Sequence, residues 1–211
     1  RAMLTWHNLS EREKTTERAE AYLEEHPDDL SRRMGILLQL AHEETRDPEK
    51  LRHHSLELIK RLPGCFEVAS ANYSEFFRNP EYRDEIVDTL RSSLGKEFDD
   101  ADIHRNLGFI LGPSALPVSD PPSFRKWHEL PDDTPLPGEL NEEQLDRAIG
   151  HYEQSLRISP DRNVAEWLAE LLSDAGRLEA AVPAFEQAAQ LEPVDSAAGL
   201  LVDYGECLAK L

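Results

Sequence analysis

The chain has 211 residues, with 42 acidic against 23 basic side chains and a formal net charge of −19. A field of that sign repels phosphate backbones and anionic lipid, so nucleic-acid binding is excluded and two readings of the charge stay open, solubility or the steering of a basic partner. Mean hydropathy is −0.58, and no apolar run approaches the ~20 residues of a spanning helix, which excludes membrane insertion.

Helical periodicity and helix punctuation dominate the chain, and sustained apolar/polar alternation is missing. Ser10 is expected to cap a charged helix that runs to about Glu25 and is stopped by Pro27. Asp29 opens a second helix through Met34, Ile36, Leu37, Leu38 and Leu40, ending near Thr45. Pro48 belongs in the first turn of a third, which carries Leu51, Leu56, Leu58, Ile59 and Leu62 before Pro63-Gly64 breaks it. Two more are expected over Cys65–Arg78 and Pro80–Leu94, and another from Asp100 or Ala101 to Gly112. Four further helices start near Asn141, Asn163, Leu178 and Asp195, which makes about ten. Short loops between helices of this length imply antiparallel neighbours stacked as pairs.

The clearest unit is Ala165–Pro193, AEWLAELLSDAGRLEAAVPAFEQAAQLEP. Leu168, Ala169 and Leu172 share one face of its first helix, Gly176 makes the turn, and Ala181, Phe185 and Ala188 face back from the second. Small residues at Ala169 and Ala181 allow close backbone approach, and Pro193 ends the unit. These residues resemble the tetratricopeptide repeat (TPR) pattern at nearly every signature place, except Ala165, where the family often has Trp. The resemblance implies an all-α fold, a right-handed superhelix of antiparallel helix pairs over residues 1–211.

The 12-residue step from Ala169 to Ala181 recurs from Gln39 to Leu51 and from Ser74 to Ile86, in units that match less well by residue type. Asn106-Leu107-Gly108 with Leu111 looks like a first helix whose second, LDRAIGHYEQSLRISPD with Ala148, Tyr152 and Pro160, comes after an interruption. Residues 113–140 therefore read as a proline-rich insertion within one helical pair, holding Pro113, Pro117, Pro121, Pro122, Pro131, Pro135 and Pro137. Its middle, Phe124-Arg125-Lys126-Trp127-His128, sets aromatic and basic residues against the acidic background. It is a strap pinned by Phe124 and Trp127, a recognition arm or a disordered loop.

Signatures of chemistry are missing. His42-Glu43 lacks a second histidine at helical spacing, and adjacent His53 and His54 diverge by about 100° on a helix, so they are expected to be solvated or capping rather than metal ligands. Asp99, Asp100 and Asp102 suit a helix N-terminus better than a calcium loop. Phosphate-binding glycine loops and a nucleophile elbow do not occur, and Cys65 and Cys207 are expected to be buried free thiols. No catalytic residue, cofactor or metal is expected.

What the family resemblance implies is a concave groove lined by the first helices of successive pairs and used to bind a protein or peptide. The candidate lining is Ile36, Leu37 and Leu40, then Asn72 and Glu75, then Arg105, Asn106 and Phe109, then Glu166, Trp167 and Glu170, with Phe124 and Trp127 of the insertion. Only Arg105 and Asn106 suit the clamp with which some members hold a partner's C-terminal carboxylate, and Glu166 and Glu170 would repel one. The expected partner segment instead has apolar anchors and a Lys or Arg near Glu166 and Glu170. The functional reading is a non-catalytic interaction scaffold, or alternatively a regulatory or recognition domain of a larger enzyme. Tyr204–Leu211 reads as a helix without a cap or breaker, so the expectation is a fragment of a longer chain. Compartment stays open, with the cytoplasm slightly favoured.

Overall fold

The computed structural model describes residues 14, 16–41, 47–128, 130–191 and 198–210. Twelve helices and no strand occur among them. They are α1 (16–25), α2 (Leu30–Leu40), α3 (Pro48–Arg61), α4 (Phe66–Ala71), α5 (Tyr73–Arg78), α6 (Pro80–Ser93), α7 (Asp100–Ala115), α8 (Pro121–Trp127), α9 (Glu142–Ile158), α10 (Arg162–Asp174), α11 (Leu178–Gln190) and α12 (Ala198–Lys210). The cap expected at Ser10, the pair His42-Glu43, the helix end near Thr45, the stop at Pro193 and the start near Asp195 lie outside the described residues.

Asparagine and aspartate start most of these helices. Asp29, Asp47, Asn79, Asp99, Asp120, Asn141 and Asp161 each accept a hydrogen bond from a backbone N–H one turn or less into the helix. Each thereby satisfies a donor that the helix itself leaves unpaired. Part of the acid excess thus has a local structural use. Gly95 (φ 70°) and Gly176 (φ 75°) occupy the left-handed region just beyond α6 and α10, where a side chain would be strained.

The helices pair as α2/α3, α4–α5/α6, α7/α9 and α10/α11, with α12 packed on both α10 and α11. First helices form one continuous row, since α2 touches α4, α4 touches α7, α7 touches α10 and α10 touches α12. Apolar faces between the rows make a single core, with Leu37, Leu51, Leu58, Ile86, Ile103, Leu107, Leu145 and Phe185 almost wholly buried. Burial of each such side chain is worth roughly 1.5–3 kcal/mol. Ala169 and Ala181 are both fully buried where α10 meets α11.

The split pair shows the same close approach across a longer connection. A Cβ built on Gly108 would lie 2.6 Å from the Tyr152 ring, so hydrogen is the only side chain that fits there. Residues 116–141 between these helices form an arm with a closed neck. Asn141 N–H donates to Ala115 O at 2.9 Å, and Val118 N–H donates to Pro137 O at 2.9 Å. The arm contains α8, and α7 itself runs through Gly112 and Pro113 to Ala115. Pro113 removes the N–H that would bond Phe109 O, and later in the same turn Leu111 O accepts from Gln144 Nε2–H at 2.9 Å and from Ser114 Oγ–H at 3.1 Å.

Two expected features take a different form. The helix expected over Cys65–Arg78 is broken into α4 and α5 at Asn72 (φ −99°, ψ 1°). Its buried side chain replaces the missing backbone bonding, donating to Val68 O (2.7 Å) and Ser55 Oγ (2.8 Å) and accepting from the Tyr82 hydroxyl (2.8 Å). That break and the helix in the arm account for twelve helices rather than about ten. Cys207 is buried, but Cys65 is half-buried at the start of α4, its thiol donating to Glu67 at 3.1 Å. His54 is buried rather than solvated, between Arg33 (3.2 Å) and Glu20 (3.4 Å).

Candidate functional site

Three aromatic rings run across the row of first helices. Phe66 of α4 stacks on Trp167 of α10 with centroids 5.0 Å apart, and Phe109 of α7 meets both, at 4.8 and 5.8 Å. Tyr73 of α5 extends the series 5.5 Å from Phe109. The arm folds over this face and is held by Phe124 against Phe77 (5.0 Å) and His128 against Tyr73 (5.1 Å). Between arm and helices lies a cleft of about 880 Å³.

One wall of the cleft is ring and aliphatic surface from Tyr73, Phe109, Tyr152 and Trp167. The facing wall is the arm, including Phe124, His128 and Trp127. Trp127 is 84% exposed, so it does not pin the arm; Phe124 does. A tryptophan held this far into water beside an apolar cleft is the kind of side chain that anchors partners.

Acidic groups close the α10 end. Glu170 and Asp174 line the cleft, and carboxylate oxygens of Glu166, Glu170 and Asp203 of α12 lie within 4.8 Å of one another. Burial, followed by repulsion from Glu166, Asp203 and Asp174, pushes Glu170 up to about 7. Burial also raises Asp174, against the pull of Lys210. Glu166 is paired with Arg162 at 3.2 Å, whereas Glu170 has no cationic partner among the described residues.

The other residues singled out for the groove have interior or supporting places. Asn72 and Asn106 are buried, Asn106 donating to Pro63 O at 2.9 Å, and neither is available to a partner. Glu75 is buried with Arg78 4.0 Å away. Arg105 lies over the Phe66 ring (5.4 Å), donates to Gly64 O (2.9 Å) and pairs with Asp102 (2.8 Å), so it braces the turn before α4. Ile36, Leu37 and Leu40 are core, and the α2 residue left outward on this side is Leu38, 46% exposed in a shallow hollow with Phe66 and Ala71. Phe109, Phe124, Trp127, Trp167 and Glu170 do come together in the cleft, with Glu166 at its acidic end. Sequence reasoning did not single out Phe66 of the ring series, His128 as part of the cleft wall, or Asp203 beside Glu166 and Glu170; for Phe66, an aromatic at each of three successive first helices was the available signal.

The fold is that of a TPR-like α-solenoid, with a ring-lined cleft on its row of first helices. It is similar along 98% of its length to the crystal structure of a thermophilic TPR protein of Thermus thermophilus, of which 95% is covered, with TM-score 0.54 and 17% identity. No family model and no curated protein matches the chain. Among the described residues, no helix is long and apolar enough to cross a membrane.

Proposed function

We propose that this protein is a non-catalytic interaction scaffold that holds a segment of another protein on the face formed by its first helices. The observation that carries the reading is the cleft of about 880 Å³ between the ring series and the arm, on the same row as the outward Leu38. Apolar rings supply area with little loss of side-chain freedom, and the acidic end supplies orientation. The partner segment has apolar anchors and at least one Lys or Arg near Glu166 and Glu170.

Random dodecapeptides displayed on phage and selected on the wild-type protein test this directly. Selected peptides are expected to be rich in Lys or Arg and bulky apolar residues, and to lose at least tenfold in affinity, about 1.4 kcal/mol, for Glu166→Lys with Glu170→Lys. Unchanged affinity in that double variant overturns the placement of the basic residue. Failure to select any peptide that competes at the cleft overturns the scaffold reading.

A further inference from the structure

The cleft sets an apolar part beside an acidic one, since Trp167 and Glu170 lie one turn apart on α10. At the ring end, Trp127 of the arm faces the wall that holds Phe109 and Trp167, a space suited to a bulky apolar side chain. At the other end Glu170 stands half-buried and without a cation, crowded by Glu166 and Asp203. Carboxylates this close repel one another, which favours a proton on Glu170, the one crowded by both others.

We propose that the cleft takes up a partner segment in which a lysine or arginine directly adjoins a bulky apolar residue, and that the arriving cation displaces the proton held at Glu170 into solvent. This rests on the docking reading above and adds to it the order of the two anchors and a dependence on pH. Charge complementarity selects the occupant: the charged groups that crowd Glu170, namely Glu166, Asp203 and Asp174, are all acidic. The groups facing it are Glu166 with its partner Arg162, and Asp174 on the same helix; Asp203 and, beside Asp174, Lys210 of α12; the Tyr152 phenol of α9; and Asp120 and His128 of the arm. Glu186 of α11 is turned away to the Tyr204 hydroxyl (3.3 Å). Burial lowers His128, which keeps it on the neutral side near pH 7. The value of about 7 at Glu170 agrees with a shared proton.

Two synthetic dodecapeptides test the inference, identical except that one has Trp-Arg at its centre and the other Trp-citrulline, which keeps the shape and removes the charge. Calorimetry on the intact chain at pH 6 and pH 8 gives affinity, and buffers of different ionisation heat give the protons released. The Trp-Arg peptide is expected to bind about tenfold tighter at pH 8, the ratio of ionised Glu170 expected for a group titrating near 7. The citrulline twin is expected to gain nothing, and Glu170→Gln to flatten the Trp-Arg profile. Equal binding of both peptides without a pH trend overturns the inference while the docking reading stands. Failure of both, while phage-selected peptides of other composition do bind the cleft, has the same meaning. If no peptide binds the cleft, both readings fall.

Discussion

Gly108 and Asn72 show how single positions hold the stack together. Replacing Gly108 with alanine puts a Cβ against the rigid ring of buried Tyr152, and α7 and α9 must then separate. We expect Gly108→Ala to lose about 1–3 kcal/mol in urea denaturation, the cost of overpacking a tight interface. Asn72→Ala takes a partner from the Tyr82 hydroxyl and the Val68 carbonyl, and one of two bonds from Ser55, which still donates to Leu51 O; it is expected to cost about 1–3 kcal/mol by the same measurement. Glu170 works in the opposite sense. Its carboxyl is raised in the fold from 4.5 to about 7, so the folded state binds more protons than the unfolded one between those values. Stability from this group is therefore present below about 4.5 and lost as pH rises through 7, and Glu170→Gln should raise the melting temperature more at pH 8 than at pH 5.5.

At the scale of elements, the arm and the helix break decide what could be read in advance. Period and caps place α3, α6, α9, α10 and α11 because each carries its own signals: Pro48 and Pro80 in first turns, Asn141 as a cap, Gly176 after α10. Asn72 breaks its helix through bonds to Ser55 and Tyr82, partners on other helices, and nothing local to residues 65–78 announces them. The same limit explains Asn106: a polar residue on a first helix looks outward in sequence, and only the distant Pro63 carbonyl gives it an interior place. Asp203 joins Glu166 and Glu170 only because α12 packs beside α10. The arm begins after Ala115, so an excision at 113–140 would cut away the last turn of α7. Replacing 119–136 by a short Gly-Ser link, inside the Val118–Pro137 bond, is expected to lose only the α8 share of the helix signal in circular dichroism and to abolish peptide capture at the cleft.

For the whole molecule, charge and partly or wholly buried imidazoles set the working conditions. His54, His104 and His151 are all lowered, each chiefly by burial, His151 to about 4. A lowered histidine stays neutral in the fold while the unfolded chain takes up the proton. Its contribution is therefore present above about 6.5 and lost as pH falls toward 4. Urea midpoints are accordingly expected to drop between pH 7 and pH 5, opposing the trend from Glu170, and His151→Gln should reduce the drop. The formal −19 adds repulsion that salt screens. The melting temperature should therefore rise between about 10 and about 150 mM NaCl, as the Debye length contracts from about 30 to about 8 Å.

The neck of the arm has a consequence for how such a molecule can change. Because Ala115 and Asn141 are joined by a backbone hydrogen bond, the helical pair meets the arm at a single fixed doorway. Sequence beyond that doorway can lengthen, shorten or be exchanged at little entropic cost, since closing a loop costs only about 0.6 kcal/mol more for each doubling of its length. Under the proposed docking role the stack is a chassis: the arm's wall of the cleft can be exchanged while the wall supplied by the helices stays in place.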